Sequence, residues 1–225
     1  KIYEPIIRKA AGFGSASTKH DKERYEHKYE YCDLLITGSG PSGLASAYAA
    51  AQNGAKVILA EDKSRFGGSL LTSEVTVGNQ SGQEWAEKII SELKSMPNVV
   101  VKNRSQVFGY YDHNMLVMSE RISDHLPKTE KYSPKQRLWY IRAKEVIISS
   151  GSIERPLVFG NNDTPGVMLS SAAKEYLKIY GVLVGKKPLV FTNNDSGYET
   201  AIEFKKNGID PIVLDTRKNS NSEII

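Results

Sequence analysis

A chain of 225 residues is long enough for one large domain or two small ones, each able to bury its own core. Its 40% hydrophobic and 25% charged residues are those of an ordinary folded globular protein and exclude the disordered and membrane-embedded classes. The net charge of +4 arises from interleaved signs, as in Lys19-His20-Asp21-Lys22-Glu23-Arg24, without a basic stripe and stacking aromatics, so no nucleic-acid partner is expected.

Cys32 is the only cysteine, which excludes an internal disulfide framework and a cysteine-based zinc site. The longest apolar stretches, such as Val146 to Ile148, fall far short of the roughly 20 residues that cross a bilayer, so no membrane partner is expected. These features point to a cytoplasmic protein. A start at Lys1 without a leader reads as a piece of a longer chain.

Residues 1–31 begin with Ile6-Ile7, pass through small residues from Ala10 to Ser15 and end in a charged, Tyr-rich run. They read as a leader or linker with at most one short helix. Asp33 to Thr37 is a short apolar strand, glycines follow at once, and Leu44 to Gln52 is an Ala-rich helix stopped by Asn53-Gly54. Lys56 to Glu61 is the next strand, which completes a βαβ unit.

Trp85, Ile89 and Leu93 line one face of a helix over Ser81 to Ser95, with Ser81 or Gly82 at its start. Strands are expected at Val99–Val101, Gln106–Tyr111 and, after a His113-Asn114 turn, Met115–Met118. A polar stretch from Ser119 to Lys135 interrupts, and two strands resume at Leu138–Arg142 and Glu145–Ser149. The second of these is so rich in β-branched residues that it should be central and buried. A helix from about Ser170 to Ile179 then precedes a second βαβ start: strand Pro188–Thr192, helix Gly197–Asn207 and strand Ile212–Leu214.

The fold class expected is α/β, a Rossmann-like dinucleotide-binding domain of the two-dinucleotide-binding flavoprotein type, followed by the start of a second, incomplete Rossmann-like domain. The divisions are a leader over 1–31, the dinucleotide domain over 32–165 and the degenerate second unit over 166–225.

Gly38-Ser39-Gly40-Pro41-Ser42-Gly43 is a GxGxxG turn between strand and helix. Gly38 permits the tight turn, Gly40 lets backbone approach a pyrophosphate, and Gly43 lets helix pack on strand. Pro41 and Ser42 complete the helix start, whose N–H groups and dipole favour an anion. Glu61, ending the second strand, is placed to accept from the adenosine ribose hydroxyls, which disfavours a 2′-phosphate and therefore NADP relative to NAD or FAD. Asp62 beside it reads as solvated, and Arg65 as either an adenine or pyrophosphate contact or a surface arginine. Gly67-Gly68-Ser69 can bring backbone close to the dinucleotide, and Gly151, after the late strand, faces the same crevice.

Thr192-Asn193-Asn194-Asp195-Ser196-Gly197 stands where a second such turn belongs, but its polar side chains would obstruct a pyrophosphate and Asp195 would repel it. It reads as a strand-to-helix turn capped by Asp195 or Ser196. His20, His27, His113 and His125 are scattered surface or turn residues, Cys32 is a packing residue, and neither a catalytic residue nor a metal site is expected.

From Tyr3 to Thr216 the sequence resembles the alpha-subunit family of heterotetrameric sarcosine oxidase. The resemblance rests on Tyr3 to Gly12, Cys32 to Leu44, Gly67-Gly68-Ser69-Leu70-Leu71, Val107 to Asn114 and Phe191 to Asp195. It implies NAD at the first Rossmann turn, FAD in a beta subunit, FMN between alpha and beta, gamma and delta subunits as further partners, and tetrahydrofolate in a region absent here. It also implies that Val107 offers backbone contacts to the adenine. Thr37-Gly38-Ser39 departs from the Val-Gly-Ala usual in the family. The implied role is cofactor holding and assembly within a complex that converts sarcosine to glycine with hydrogen peroxide. Two other readings stay open: an FAD-binding subunit of a related amine, opine or hydroxyproline dehydrogenase, and a cofactor-free assembly scaffold.

Overall fold

The computed structural model describes residues 3–12, 17–130 and 132–218. In chain order its elements are α1 (Glu4–Ala10), β1 (Tyr25–Thr37), α2 (Pro41–Gln52), β2 (Val57–Ala60), β3 (Thr76–Val77), β4 (Gln80–Ser81), α3 (Gly82–Ser95), β5 (Val99–Lys102), β6 (Ser105–Tyr111), β7 (Met115–Arg121), β8 (Gln136–Ile148), α4 (Ser170–Tyr180), β9 (Leu189–Thr192), α5 (Ser196–Lys206) and β10 (Ile212–Asp215).

Six strands form one sheet in the order β5-β2-β1-β8-β7-β6, parallel from β5 to β8 and antiparallel from β8 to β6. The parallel part follows from the βαβ pattern, because Val57-Ile58-Leu59-Ala60 is buried on both faces and can sit only inside a covered sheet. Helices α2 and α3 cover one face. Leu44, Ala47 and Ala51 of α2 and Ile89, Ile90 and Leu93 of α3 pack with Ile36, Val57 and Leu59 in the larger core. The expected helix start at Ser81 is a full capping box: Ser81 Oγ accepts from the Glu84 N–H, while the Glu84 carboxylate accepts from the Ser81 N–H.

A second core lies on the other face, where Cys32, Leu35, Ile58 and Ala60 meet Leu116, Met118, Ile141 and Ala143. A polar network borders it: the Lys102 and Arg137 side chains pair with Glu120, and the Lys102 ammonium also sits 4.4 Å from the Trp139 ring centre. Burial pushes the Cys32 thiol up to about 12, which keeps it an inert packing group at neutral pH.

Three expectations give way here. Residues 25–31 are not linker, since β1 begins at Tyr25 and pairs with β8 from Gln136 onward. The two strands expected at 138–142 and 145–149 are one strand, β8. That strand is central in the sheet, yet its end is not buried. Val146 packs on one core and Ile147 on the other, whereas Ile148, 67% exposed, projects beyond both layers. The leader does contain one short helix, α1, which buries no residue.

The second unit is a two-stranded parallel sheet of β9 and β10, with α4 and α5 packing Ala173, Leu177, Ala201 and Phe204 against Val190. Ion pairs tie it to the first sheet's loops: Lys63 meets Glu175 at 2.8 Å, and Glu74 meets Lys178 and Lys206. Among the described residues no helix is long and apolar enough to cross a membrane.

Candidate dinucleotide site

The carboxyl end of β1 is hemmed in on both sides. The Gly38 N–H donates to the Ala60 carbonyl at 2.7 Å, and the Ser149 N–H donates to the Thr37 carbonyl at 2.8 Å. Gly38 adopts φ +96°, and a Cβ there would lie 2.3 Å from the Ser149 carbonyl oxygen. A Cβ on Gly43 would lie 2.0 Å from the Gly38 carbonyl oxygen. Both glycines are therefore demanded by the protein's own packing.

Gly40 is different. Its φ of −67° and ψ of −178° suit any residue, and a Cβ there would meet no protein atom within 4 Å. It is the N-cap of α2, provides no side-chain cap, and Pro41 follows at the first helical position. The first intrahelical bond runs from the Leu44 N–H to the Gly40 carbonyl, which leaves the Ser42 and Gly43 N–H groups without an intrahelical acceptor. An open approach, free donors and the positive end of the helix dipole meet at one point, the arrangement that receives a pyrophosphate.

The second glycine cluster is folded against the first. A Cβ on Gly68 would lie 2.8 Å from Gly40 Cα, and the Gly67 N–H donates to the Ser39 carbonyl at 3.1 Å. Ser69 is exposed beside them. Glu61 is 5% exposed. Its Oε2 accepts from the Ser39 N–H at 2.9 Å and from the Ser39 hydroxyl at 2.5 Å, and its Oε1 accepts from the Lys63 N–H at 3.0 Å. Burial pushes this carboxyl above the usual range and the neighbouring Asp62 carboxyl adds to the rise, while the bonds from Ser39 and Lys63 oppose it.

Asp62 and Arg65 are exposed, and the Asp62 carbonyl accepts from the Arg121 guanidinium at 2.9 Å. Val107 is half-buried on β6, an edge strand, next to a bulge between Val107 and Gly109. It lies two residues from Ser105, whose N–H donates to the Glu61 carbonyl at 2.7 Å. Gly151 is exposed at φ +72°, close in sequence to the Ser149 that abuts Gly38, and a Cβ there would also meet nothing within 4 Å. The fold thus brings residues 38–43, Glu61 and the Gly67-Gly68 loop together at the carboxyl ends of β1 and β2, while Val107 and Gly151 are linked to them only through Ser105 and Ser149. Ser39, whose hydroxyl bonds Glu61 and Gly67, was not singled out from the sequence, because the motif prescribes only its glycines. Its one legible signal is a hydroxyl between two of them.

The turn at Thr192 to Gly197 is closed by its own side chains. Asp195 is the N-cap of α5, one of the two residues expected there, but its side chain makes no capping bond; Asn194 Oδ1 accepts from the Ser196 N–H at 3.0 Å and the Ser196 hydroxyl at 2.6 Å. Asp195 instead faces Arg217 at 2.8 Å, an ion contact outside hydrogen-bonding angles, and Arg217 also grips Asp215 at the end of β10. The hydrogen bonds from Arg217 bring the Asp215 carboxyl down to about 2. A carboxyl lowered on folding stabilises the fold above its unfolded value of 3.8, and that contribution is lost as pH falls through about 2. Thermal melts should therefore show an acid-limb loss between about pH 4 and 2 that is smaller in Arg217→Met; coincident acid limbs would contradict this. Among the described residues no group of three or more His, Cys, Asp or Glu side chains could hold a metal.

Residues 33–130 match the family model described as FAD dependent oxidoreductase. The chain is 44% identical over 96% of its length to the sarcosine oxidase alpha subunit of Rhizobium meliloti (strain 1021), and 35% identical over 93% to that of Corynebacterium sp. (strain U-96). It spans 22% of the length of each. The L-proline dehydrogenase structure from P. horikoshii superposes with a TM-score of 0.69 at 22% identity, covering 93% of this chain and 40% of that one. Thioredoxin reductase from Lactococcus lactis gives 0.59 at 19% identity, covering 86% and 59%. Over nearly its whole length the chain is thus a relative of the sarcosine oxidase alpha subunits, built on the Rossmann fold of the flavin-dependent oxidoreductases.

Proposed function

We propose that the chain is the NAD-holding segment of a sarcosine oxidase alpha subunit, with Gly38, Gly40, Pro41, Ser42 and Gly43 around the pyrophosphate and Glu61 at the adenosine ribose. The observation that carries the dinucleotide part of this reading is Gly40; the choice of NAD rests on the resemblance to the sarcosine oxidase alpha subunits. Nothing among the described residues calls for a glycine there, whereas a ligand's approach does. Gly67, Gly68 and Ser69 would flank the dinucleotide, Val107 would border the adenine with Asp62 and Arg65 at its rim, and Gly151 would line the crevice. Residues 32–165 form the dinucleotide domain in this reading, now with the β1 extension from Tyr25 added, and 166–225 open a second unit that holds no nucleotide.

NAD supplies hydride-transfer chemistry when bound, while this chain's residues bind and orient its ADP half. No catalytic side chain is assigned, and the segment alone is expected to be inactive. The whole complex, with beta, gamma and delta subunits, would oxidise sarcosine, a CH–NH donor, to glycine and hydrogen peroxide, using FAD and FMN elsewhere and passing the one-carbon unit to tetrahydrofolate. A cytoplasmic location goes with this reading.

The match of residues 33–130 to an FAD-dependent family favours a second reading, in which the same turn holds FAD. Calorimetric titration of the colourless chain with NAD and with FAD tests both. Saturable heat with NAD, and none with FAD, supports the first reading. A purified chain that carries flavin absorbance, or that binds FAD alone, overturns it in favour of the second. Binding of neither contradicts both and leaves an assembly scaffold.

A further inference from the structure

We propose that Ser39 is a positioning residue of this site: its hydroxyl fixes the Glu61 carboxylate so that Oε1 alone is left to meet the adenosine ribose. The inference rests on the dinucleotide reading above and deepens it.

Ser39 is completely buried. Its Oγ accepts from the Gly67 N–H at 3.2 Å, so the single hydroxyl proton is directed to Glu61 Oε2 at 2.5 Å. With the Ser39 N–H at 2.9 Å as well, both acceptor sites of Oε2 are filled. Oε1 accepts the Lys63 N–H at 3.0 Å, and the Asp62 carboxyl lies within hydrogen-bonding reach of the same carboxyl group; with Oε2 filled, Oε1 is the oxygen that a ribose hydroxyl would meet. One side chain therefore joins three parts of the site: the phosphate turn, the ribose acid and the Gly67-Gly68 loop.

The charged groups around Glu61 do not do this work. The Asp62 carboxyl, within hydrogen-bonding reach of Glu61, favours the protonated form of Glu61 rather than the charged one. The Lys63 ammonium is drawn away to Glu175 at 2.8 Å, the Lys102 ammonium to Glu120 at 2.9 Å, and the Arg121 guanidinium bonds the Asp62 carbonyl. The charged form of a carboxylate that is 5% exposed depends on Ser39 and the Lys63 N–H. Without the hydroxyl, the rotamer loses one restraint and ionisation moves to higher pH.

The test compares the full wild-type chain with Ser39→Ala, using ADP as the probe, by calorimetric titration from about pH 5 to 8, with thermal melts of both. Alanine adds no atom to the site, and the Gly67 N–H keeps its bond to the residue-39 carbonyl, so the fold should persist. The expected result is roughly 10-fold weaker ADP binding at neutral pH, the order of one hydrogen bond to a charged group. Acid weakening of binding should also begin at higher pH in the variant, because its carboxyl takes up a proton sooner. Equal affinities with superimposable pH profiles would overturn the role of Ser39 while leaving the dinucleotide reading intact. Weaker binding with an unmoved pH profile would overturn it too, by placing the hydroxyl's effect elsewhere than on the carboxylate. A wild-type chain that gives no heat with ADP would overturn both inferences together.

Discussion

Gly43→Ala is expected to destabilise the chain by at least about 3 kcal/mol, a fall in Tm on the order of 10 °C. The added Cβ would sit 2.0 Å from the Gly38 carbonyl oxygen, and both partners are backbone or rigidly attached to it. Rotation of a side chain cannot relieve the overlap. Either α2 must lift off β1, exposing Leu44 and Ala47 from the larger core, or the turn at Gly38 must open against Ser149. Thermal or urea melts read the effect. A variant as stable as wild type would mean that α2 packs less closely on β1 than a 2.0 Å approach requires.

Gly40→Ala should do the reverse. Its Cβ meets no protein atom within 4 Å and its backbone is extended, so the fold should change by less than about 1 kcal/mol. Dinucleotide binding, however, should weaken by at least about 100-fold, roughly 2.7 kcal/mol, because the new methyl group enters the space left for the pyrophosphate. The pair of variants separates two reasons for a glycine that the motif alone cannot distinguish. Gly43 serves packing, and Gly40 serves a ligand. If Gly40→Ala binds as wild type does, the pyrophosphate does not pass over this turn.

The parts of the fold that were legible in the sequence are those where burial imposes a period. The helix over Gly82–Ser95 follows from Trp85, Ile89 and Leu93 and from a start at Ser81 or Gly82, while the Glu84 half of its capping box emerged only in the structure. The strand Val57–Ala60 follows from an unbroken apolar run. By contrast, the first half of β1 was hidden because Glu26, Lys28 and Glu30 alternate with Tyr25, His27, Tyr29 and Tyr31, giving a two-residue period with polar groups on both faces. What holds that half in the sheet is non-local: the ladder to β8 and ring stacking of Tyr29 on Tyr140 at 5.1 Å. β8 was read as two strands because Ala143-Lys144 breaks its apolar run, although its pairing with β1 continues past that point to Ile148, while β7 pairs with it only as far as Arg142. The burial expected for its end failed for a related reason. β-branched composition reports that a residue suits a strand, and Ile148 satisfies that while lying beyond both covering layers.

At the site, the glycine code and the strand-end acid could be read directly because each has a steric or electrostatic rule behind it. The Ser39–Glu61–Gly67 linkage could not, since it joins three segments that only the fold brings together. The same holds for the second turn. Its departure from the glycine pattern at Asn193, Asn194 and Asp195 could be read directly, but the pairing of Asp195 and Asp215 through Arg217 needed the register of β9 and β10.

The most direct measurement of the central claim is amide chemical-shift mapping of the isotope-labelled chain titrated with NAD. The account predicts saturating shifts at the Ser42, Gly43, Gly67 and Gly68 amides, with the Asn193 to Gly197 amides unmoved. Shifts centred on Asn193 to Gly197, or none at saturating NAD, would contradict it.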